Sequence, residues 1–328
     1  MQMKQRHKIL LAIVAILVFY RIGPVMDTEV SDAHLPLVKY DIHSLTSYIQ
    51  NQEAQWNIKK DNEARIIWGD SIAQKTEYVL LYLHGFSASW YEAYPVNVAV
   101  QEHFKCNAYF PRLYAHGLET ETPLLTMTPK RLYDSAKEAL LIAHTLGDKV
   151  IIMSTSTGGT LSLMLAADFP DLVQGLILFS PNIAIKNKAA KLLPGPWGLP
   201  LAKALEGEMR QLEGSELEAQ YWYLNYRIEG AIYLQQLLNE RMNKSTFEQV
   251  TCPTFVAYYY KDKEHQDDVV SVSAIQQMYE DLGAEVKMAQ AFPDAERHTI
   301  AFVEAGNPDA VKEASIAFIE KKIMHEIE

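Results

Sequence analysis

"KVIIMSTSTGGTLSLMLAA", Lys149 to Ala167, passes through three kinds of sequence in a short distance. Lys149–Met153 is mostly apolar and carries β-branched residues, as a strand buried on both faces of a sheet requires. Ser154–Gly159 is a knot of small hydroxyl residues and glycines. From Thr160 the apolar residues take helical spacing, and Pro170 stops the run. A buried strand turning through small residues into a helix is the joint of a parallel α/β sheet. The same joint can expose a serine on a strained turn, in the pattern G-x-S-x-G. Here the five residues are Ser154-Thr155-Ser156-Thr157-Gly158, so Ser154 stands where a glycine is expected. Strand and helix pack closely at that position, and serine is small enough to fit. On this stretch alone, an ordinary small-residue turn and a nucleophile on a strained turn both remain open.

Working outward, the strand–helix alternation continues. "LVKYDIHSLTSYIQNQEAQW" (37–56) has amphipathic helical spacing, and "ARIIWG" (64–69) reads as a short strand. "YVLLYL" (78–83) is a continuous apolar strand, and "HGFSASWYEAYPV" after it is a loop entering a helix. "NAYF" (107–110) is a strand, and 129–147 is a helix opened by Pro129 and closed by Gly147. "GLILFSP" (175–181) is a strand again. Residues 183–248 hold no convincing strand and read as a helical insertion, with one long helix over 217–239. The alternation resumes with "TFVAYYY" (254–260), a helix (271–283), a strand (285–292) and a helix from Asp309 to His325. The pattern predicts an α/β fold with a mainly parallel sheet.

The composition is that of a globular chain: 328 residues, 48% hydrophobic and 22% charged. A net charge of -11 without basic clusters argues against nucleic acid as a partner. Two cysteines, Cys106 and Cys252, are too few for a disulfide framework, and no metal-ligand spacing is completed around them. No metal and no organic cofactor are expected.

The N-terminus departs from this composition. Lys4, Arg6 and Lys8 precede the apolar run Ile9–Tyr20, which ends at Arg21. Residues 1–25 read as a signal anchor or a signal peptide. The run is shorter than the about 20 residues of a full span, and Ile22–Val25 extend it if Arg21 snorkels. The positive flank predicts that residues 1–8 stay inside and the main domain is exported, with membrane contact through residues 9–25. A buried N-terminal helix is the competing reading. Residues 26–59 form a linker and N-terminal helix, and 60–328 form the main domain, with the insertion at 183–248.

Nucleophilic acyl transfer by serine needs a base, a carboxylate to orient it, and two N–H groups for the oxyanion. Each falls after a strand. Ser156 is the candidate nucleophile, and Thr157, next in the chain, offers one N–H. His84-Gly85-Phe86 follows 78–83, and Phe86 offers the second N–H, with His84 and Gly85 as site-lining residues of a tight strand exit. After 254–260, Asp262, Glu264, Asp267 and Asp268 compete, and the D-x-V-V arrangement before the helix selects Asp267, with Asp268 next. His298, just beyond the last strand, is the candidate base among ten histidines. The order Ser156, Asp267, His298 fits this architecture. Tyr221, Trp222, Tyr223, Tyr226 and Tyr233 could line an acyl pocket or simply pack the insertion.

Over residues 60–327, through "LYLHGFSAS", "IIMSTSTGGT", "DDVV" and "FPDAERH", the chain resembles the α/β-hydrolases of the serine aminopeptidase and monoacylglycerol-lipase-like branch. The resemblance implies an eight-stranded, mostly parallel sheet with a helical cap inserted after the sixth strand, at 183–248. "PRLYAHGLE" (111–119) sits where such proteins carry a glycine-histidine-glycine loop. Ala115 replaces their first glycine, which makes His116 a loop residue lining the site. The implied strand order also separates Cys106 from Cys252, so both are expected free. The expected activity is hydrolysis of carboxylic esters of moderate acyl length through an acyl-enzyme. The alternatives are an aminopeptidase, which needs a cap carboxylate (Glu206, Glu208, Glu213, Glu216, Glu218 or Glu229) for the substrate amine, and a non-catalytic binding protein on the same fold.

Overall fold

The computed structural model describes residues 2–26, 32–70 and 72–324. Seven strands form the main sheet: β1 (Arg65–Ile67), β2 (Thr76–Leu83), β3 (Asn107–Phe110), β4 (Gly147–Thr155), β5 (Val173–Phe179), β8 (Thr254–Tyr258) and β9 (Lys287–Ala291). Their order is β1-β3-β2-β4-β5-β8-β9. Only β1 runs antiparallel to its neighbour; the others pair in parallel. The C-terminal ends of β2, β4, β5, β8 and β9 therefore share one edge, where ligands of open α/β sheets bind.

Both faces of the sheet are covered, which is why its central strands read as unbroken apolar runs. Val79, Leu81 and Leu83 of β2 belong to one core, with α4 (Pro129–Leu146) and α5 (Thr157–Asp168). Tyr78, Leu80 and Tyr82 belong to the opposite core, with α3 (Val96–Phe104) and α11 (Pro308–Phe318). The helix α10 (Val272–Asp281) links β8 to β9 and buries Val272, Ile275 and Met278. The chain continues from α11 through a π-helical turn, Ile319–Met324; His325, the expected end of this helix, lies outside the described residues.

Three expectations are corrected. Among the described residues the main sheet has seven strands, not eight. The chain ahead of β1 folds into α2 (Leu45–Glu53), which buries Leu45 and Ile49, and Ile58 makes only an isolated bridge to Leu118. The helix expected over 37–56 is confined to α2, because residues 41–44 turn, with the Ser44 N–H donating to Asp41 O. Residues 217–239 are not one helix. They divide into α7 (Glu216–Tyr221), β7 (Asn225–Arg227) and α8 (Ile228–Arg241), and β7 pairs antiparallel with β6 (Met209–Gln211). The aromatic run Tyr221–Tyr226 suits a strand better than a helix interior.

The segment between β5 and β8 also contains α6 (Gly198–Glu206) and α9 (Lys244–Glu248). It is tied to the core at several points. Tyr221 stacks on Tyr91 with ring centroids 4.1 Å apart, and its hydroxyl donates to Asp61 at 2.6 Å. Lys59 Nζ donates to the carbonyls of Ala219 and Trp222. Arg297 pairs with Glu218 and Glu304. Cys106 and Cys252 are both free thiols.

At the N-terminus, α1 (Gln2–Arg21) presents Leu10, Leu11, Ile13, Val14, Leu17, Val18 and Phe19 to solvent. Those side chains do not form a buried helix. The end of α1 meets the cap, where Phe19 stacks on Trp197 at 4.8 Å. Among the described residues, no helix is long and apolar enough to cross a membrane. Part of the expected linker, residues 27–31, lies outside the described residues.

Candidate active site

The turn after β4 is built as a strained elbow. Ser156 has φ 54° and ψ -118°, a conformation that costs a non-glycine residue of order 1–3 kcal/mol unless its surroundings enforce it. They do so here: the Ser156 N–H donates to Phe179 O on the neighbouring strand, and Ser156 O accepts from Gly159, Thr160 and Asn182. The helix α5 begins at once at Thr157, three residues earlier than its apolar spacing suggested, so the Thr157 amide opens a helix N-terminus. This start requires Gly158, because a Cβ there would lie 1.9 Å from Leu83 O. Ser154 is fully buried, with no hydrogen-bond partner for its hydroxyl, as suits a small residue held for packing.

The candidate acid and base, Asp267 and His298, lie on the loops after β8 and β9. His298 Nδ1 lies 2.7 Å from Asp267 Oδ2, and the Val269 and Val270 N–H groups donate to Asp267 Oδ1 at 2.9 and 3.0 Å. The carboxylate is wholly buried. Burial raises its pKa, but the imidazole and those two N–H groups outweigh it, and the net shift is downward. Burial lowers the pKa of His298, but Asp267, Glu92 and Asp268 outweigh it, and the net shift is upward. With Nδ1 engaged by the carboxylate, Nε2 is left buried and unpartnered. Of the competing acids, Asp268 is exposed and Asp262 is taken up by His265 at 2.9 Å.

The loop after β2 supplies the rest. The Leu113 N–H donates to His84 Nε2, so Nδ1 carries the proton and donates to Gly85 O at 3.0 Å. Both ring nitrogens are used, and burial, helped by His116 and Arg112, holds the pKa of His84 well below its ordinary value. It is a structural histidine that shapes the strand exit. His116 is also buried, and its pKa is lowered to about 4, chiefly by that burial. Its ring lies against His84 and Phe86, so it sits beside the loop after β2. Phe86 packs edge-on against Tyr226 at 5.0 Å. Tyr226 thus reaches this loop from the cap, as does Tyr223, whose N–H donates to Ser87 O at 2.8 Å. Tyr221 and Trp222 serve the seam with the core instead, Trp222 packing on Phe302 at 5.1 Å.

The site is closed: Ser156 is 6% exposed and the His298 side chain 12%. A cavity of about 190 Å³ between α2, β3 and α4 is lined by Tyr48, Glu53, Arg112 and Glu138 among others, and not by Ser156 or His298. The reading from sequence did not include Glu92, a buried carboxyl on the loop after β2. Its one sequence signal is an acid set among aromatics in "WYEAY" (90–94). No group of three or more potential metal ligands occurs among the described residues.

A strained serine between a parallel strand and a helix, with an Asp–His pair on later loops of the same sheet edge, matches a known pattern. A model described as the alpha/beta hydrolase family fits residues 80–314. The chain belongs to the alpha/beta hydrolase family. Its likeness to solved α/β-hydrolases extends over most of the chain. One is from a study of LipS and LipT, two metagenome-derived lipolytic enzymes, with 18% identity and TM-score 0.64 over 81% of this chain and 100% of that one. Another is a soluble variant of monoglyceride lipase from Saccharomyces cerevisiae, with 13% identity and TM-score 0.60 over 80% of this chain and 92% of that one. A third is Est1E from Butyrivibrio proteoclasticus with bound ferulic acid, with 16% identity and TM-score 0.54 over 80% and 95% of the two chains. At these identities the likeness speaks to the fold. No curated protein matches the chain.

Proposed function

We propose that the protein is a serine hydrolase of carboxylic esters that acts through an acyl-enzyme. The observations that carry this reading are a serine held at positive φ on the strand-to-helix turn and a histidine whose Nδ1 is pinned by a buried aspartate and whose Nε2 is left unpartnered. In the first step His298 Nε2 takes the Ser156 hydroxyl proton as Oγ attacks the ester carbonyl. Asp267 holds the productive tautomer and stabilises the imidazolium. The Phe86 and Thr157 N–H groups receive the oxyanion. His298 then gives its proton to the departing alcohol. Water, deprotonated by the same base, releases the carboxylic acid and restores Ser156.

The ester reading is preferred over the aminopeptidase reading because the cap carboxylates have other roles. Glu208 and Glu229 pair with Lys203 and Arg227, Glu218 with Arg297, and Glu206 with Arg210. Glu213 and Glu216 are exposed. A substrate ammonium would have to compete with those cations. A panel of p-nitrophenyl esters of rising chain length, run beside aminoacyl anilides, tests the choice. Ester turnover should exceed anilide turnover and fall by about 10³-fold or more in Ser156→Ala. Faster turnover of the anilides would reverse the preference.

We further propose that residues 9–25 contact a membrane and that the catalytic domain is exported. The exposed apolar side chains of α1 and the basic residues ahead of them support this. Alkaline phosphatase fused at the C-terminus should be active and a green fluorescent protein fusion dark; the opposite pair of results would place the domain inside.

A further inference from the structure

Glu92 is 2% exposed. A carboxyl in that position must be well hydrogen-bonded or its burial is strongly destabilising. Its Oε2 accepts from the Gly85 N–H at 2.6 Å and from the Tyr82 hydroxyl at 3.2 Å; that hydroxyl also lies 3.0 Å from Thr155 Oγ1 on β4. The second carboxyl oxygen, Oε1, lies beside Gly85: a Cβ added there would sit 2.6 Å from it and 3.0 Å from Ser156 Cβ, so only the lack of a side chain at 85 keeps the space between them open. The site thus holds a second carboxyl, bound not to the imidazole but to the backbone one residue before Phe86.

We propose that Glu92 is a positioning residue of the Ser156 site: its carboxyl fixes the Gly85 N–H, and with it the loop that presents Phe86. The inference rests on the hydrolase mechanism above. Fixing Gly85 aims the Phe86 N–H before substrate arrives, and an oxyanion site is effective only when its donors are oriented in advance. Burial pushes the Glu92 carboxyl up to about 7, against the opposing pull of the Gly85 N–H, His298 and Tyr82.

The test compares wild type, Glu92→Gln, Glu92→Ala and Ser156→Ala on one p-nitrophenyl ester from pH 5 to 9, the assay range. The glutamine carbonyl can still accept from Gly85 and Tyr82, but the charge is gone. Glu92→Gln should keep KM and most of kcat. Glu92→Ala removes the acceptor and should lose kcat by about tenfold or more with KM little changed. Wild-type kcat in Glu92→Ala overturns the proposal, and so does a Glu92→Gln variant that loses as much kcat as the alanine variant, since rescue by the remaining carbonyl is what a residue acting through the Gly85 N–H requires. Ser156→Ala separates the two levels: if it keeps wild-type turnover, the hydrolase mechanism itself fails, and if it is inactive, the result bears on Glu92 alone.

Discussion

Ser154 and Ser156 are two residues apart and have opposite roles. The Ser156 backbone is held in a strained turn by hydrogen bonds from two other segments, whereas Ser154 is buried with nothing for its hydroxyl to bond. Ser154→Gly should therefore keep activity within about threefold of wild type, since it removes an unsatisfied hydroxyl and restores a smaller residue. A dead variant would show that this hydroxyl has a catalytic role. The base makes a second residue-scale prediction. Only neutral His298 can accept the serine proton, and its pKa is raised above the ordinary 6.5. Activity is therefore full above that raised value and lost as pH falls through it, so the acid limb of kcat/KM should centre above 6.5. A midpoint below 6.5 would contradict the electrostatics around His298. At this scale the Asp267–His298 pair was legible because both residues follow buried strands in a fixed order. Glu92 was not, because nothing in "WYEAY" says that its carboxyl turns inward to Gly85.

At the scale of elements, the site depends on how closely α5 approaches β2. A Cβ at Gly158 would overlap the Leu83 carbonyl and lie 2.9 Å from His84 O. Both contacts are backbone, so relief requires moving the helix or the strand. Gly158→Ala should lower stability by about 2–4 kcal/mol, read from the urea midpoint, and should displace the Thr157 amide enough to cost activity as well. An unchanged midpoint would mean that α5 is not seated as described. The central strands could be read from sequence because parallel strands buried on both faces leave unbroken apolar runs. The ribbon β6–β7 could not: its strands are three residues each, and helical spacing runs across "YWYLNYRIEGAIYL" without a Gly or Pro before Gly230 to mark the break. The eighth strand was expected from the resemblance alone; the segment ahead of β1 read as an amphipathic helix, and α2 forms there.

For the molecule as a whole, the cap is fastened to the core by Tyr221, Lys59 and Arg297. The exposed apolar helix α1, the segment proposed to contact a membrane, meets the same cap through the Phe19–Trp197 stack. Everything proposed about chemistry converges on a single oxygen atom. Treating the intact protein with a fluorophosphonate and measuring its mass tests that atom most directly. The account predicts one adduct, mapped by peptide analysis to Ser156 and absent from Ser156→Ala. Equal labelling of Ser156→Ala, or an adduct on Ser154, would contradict it.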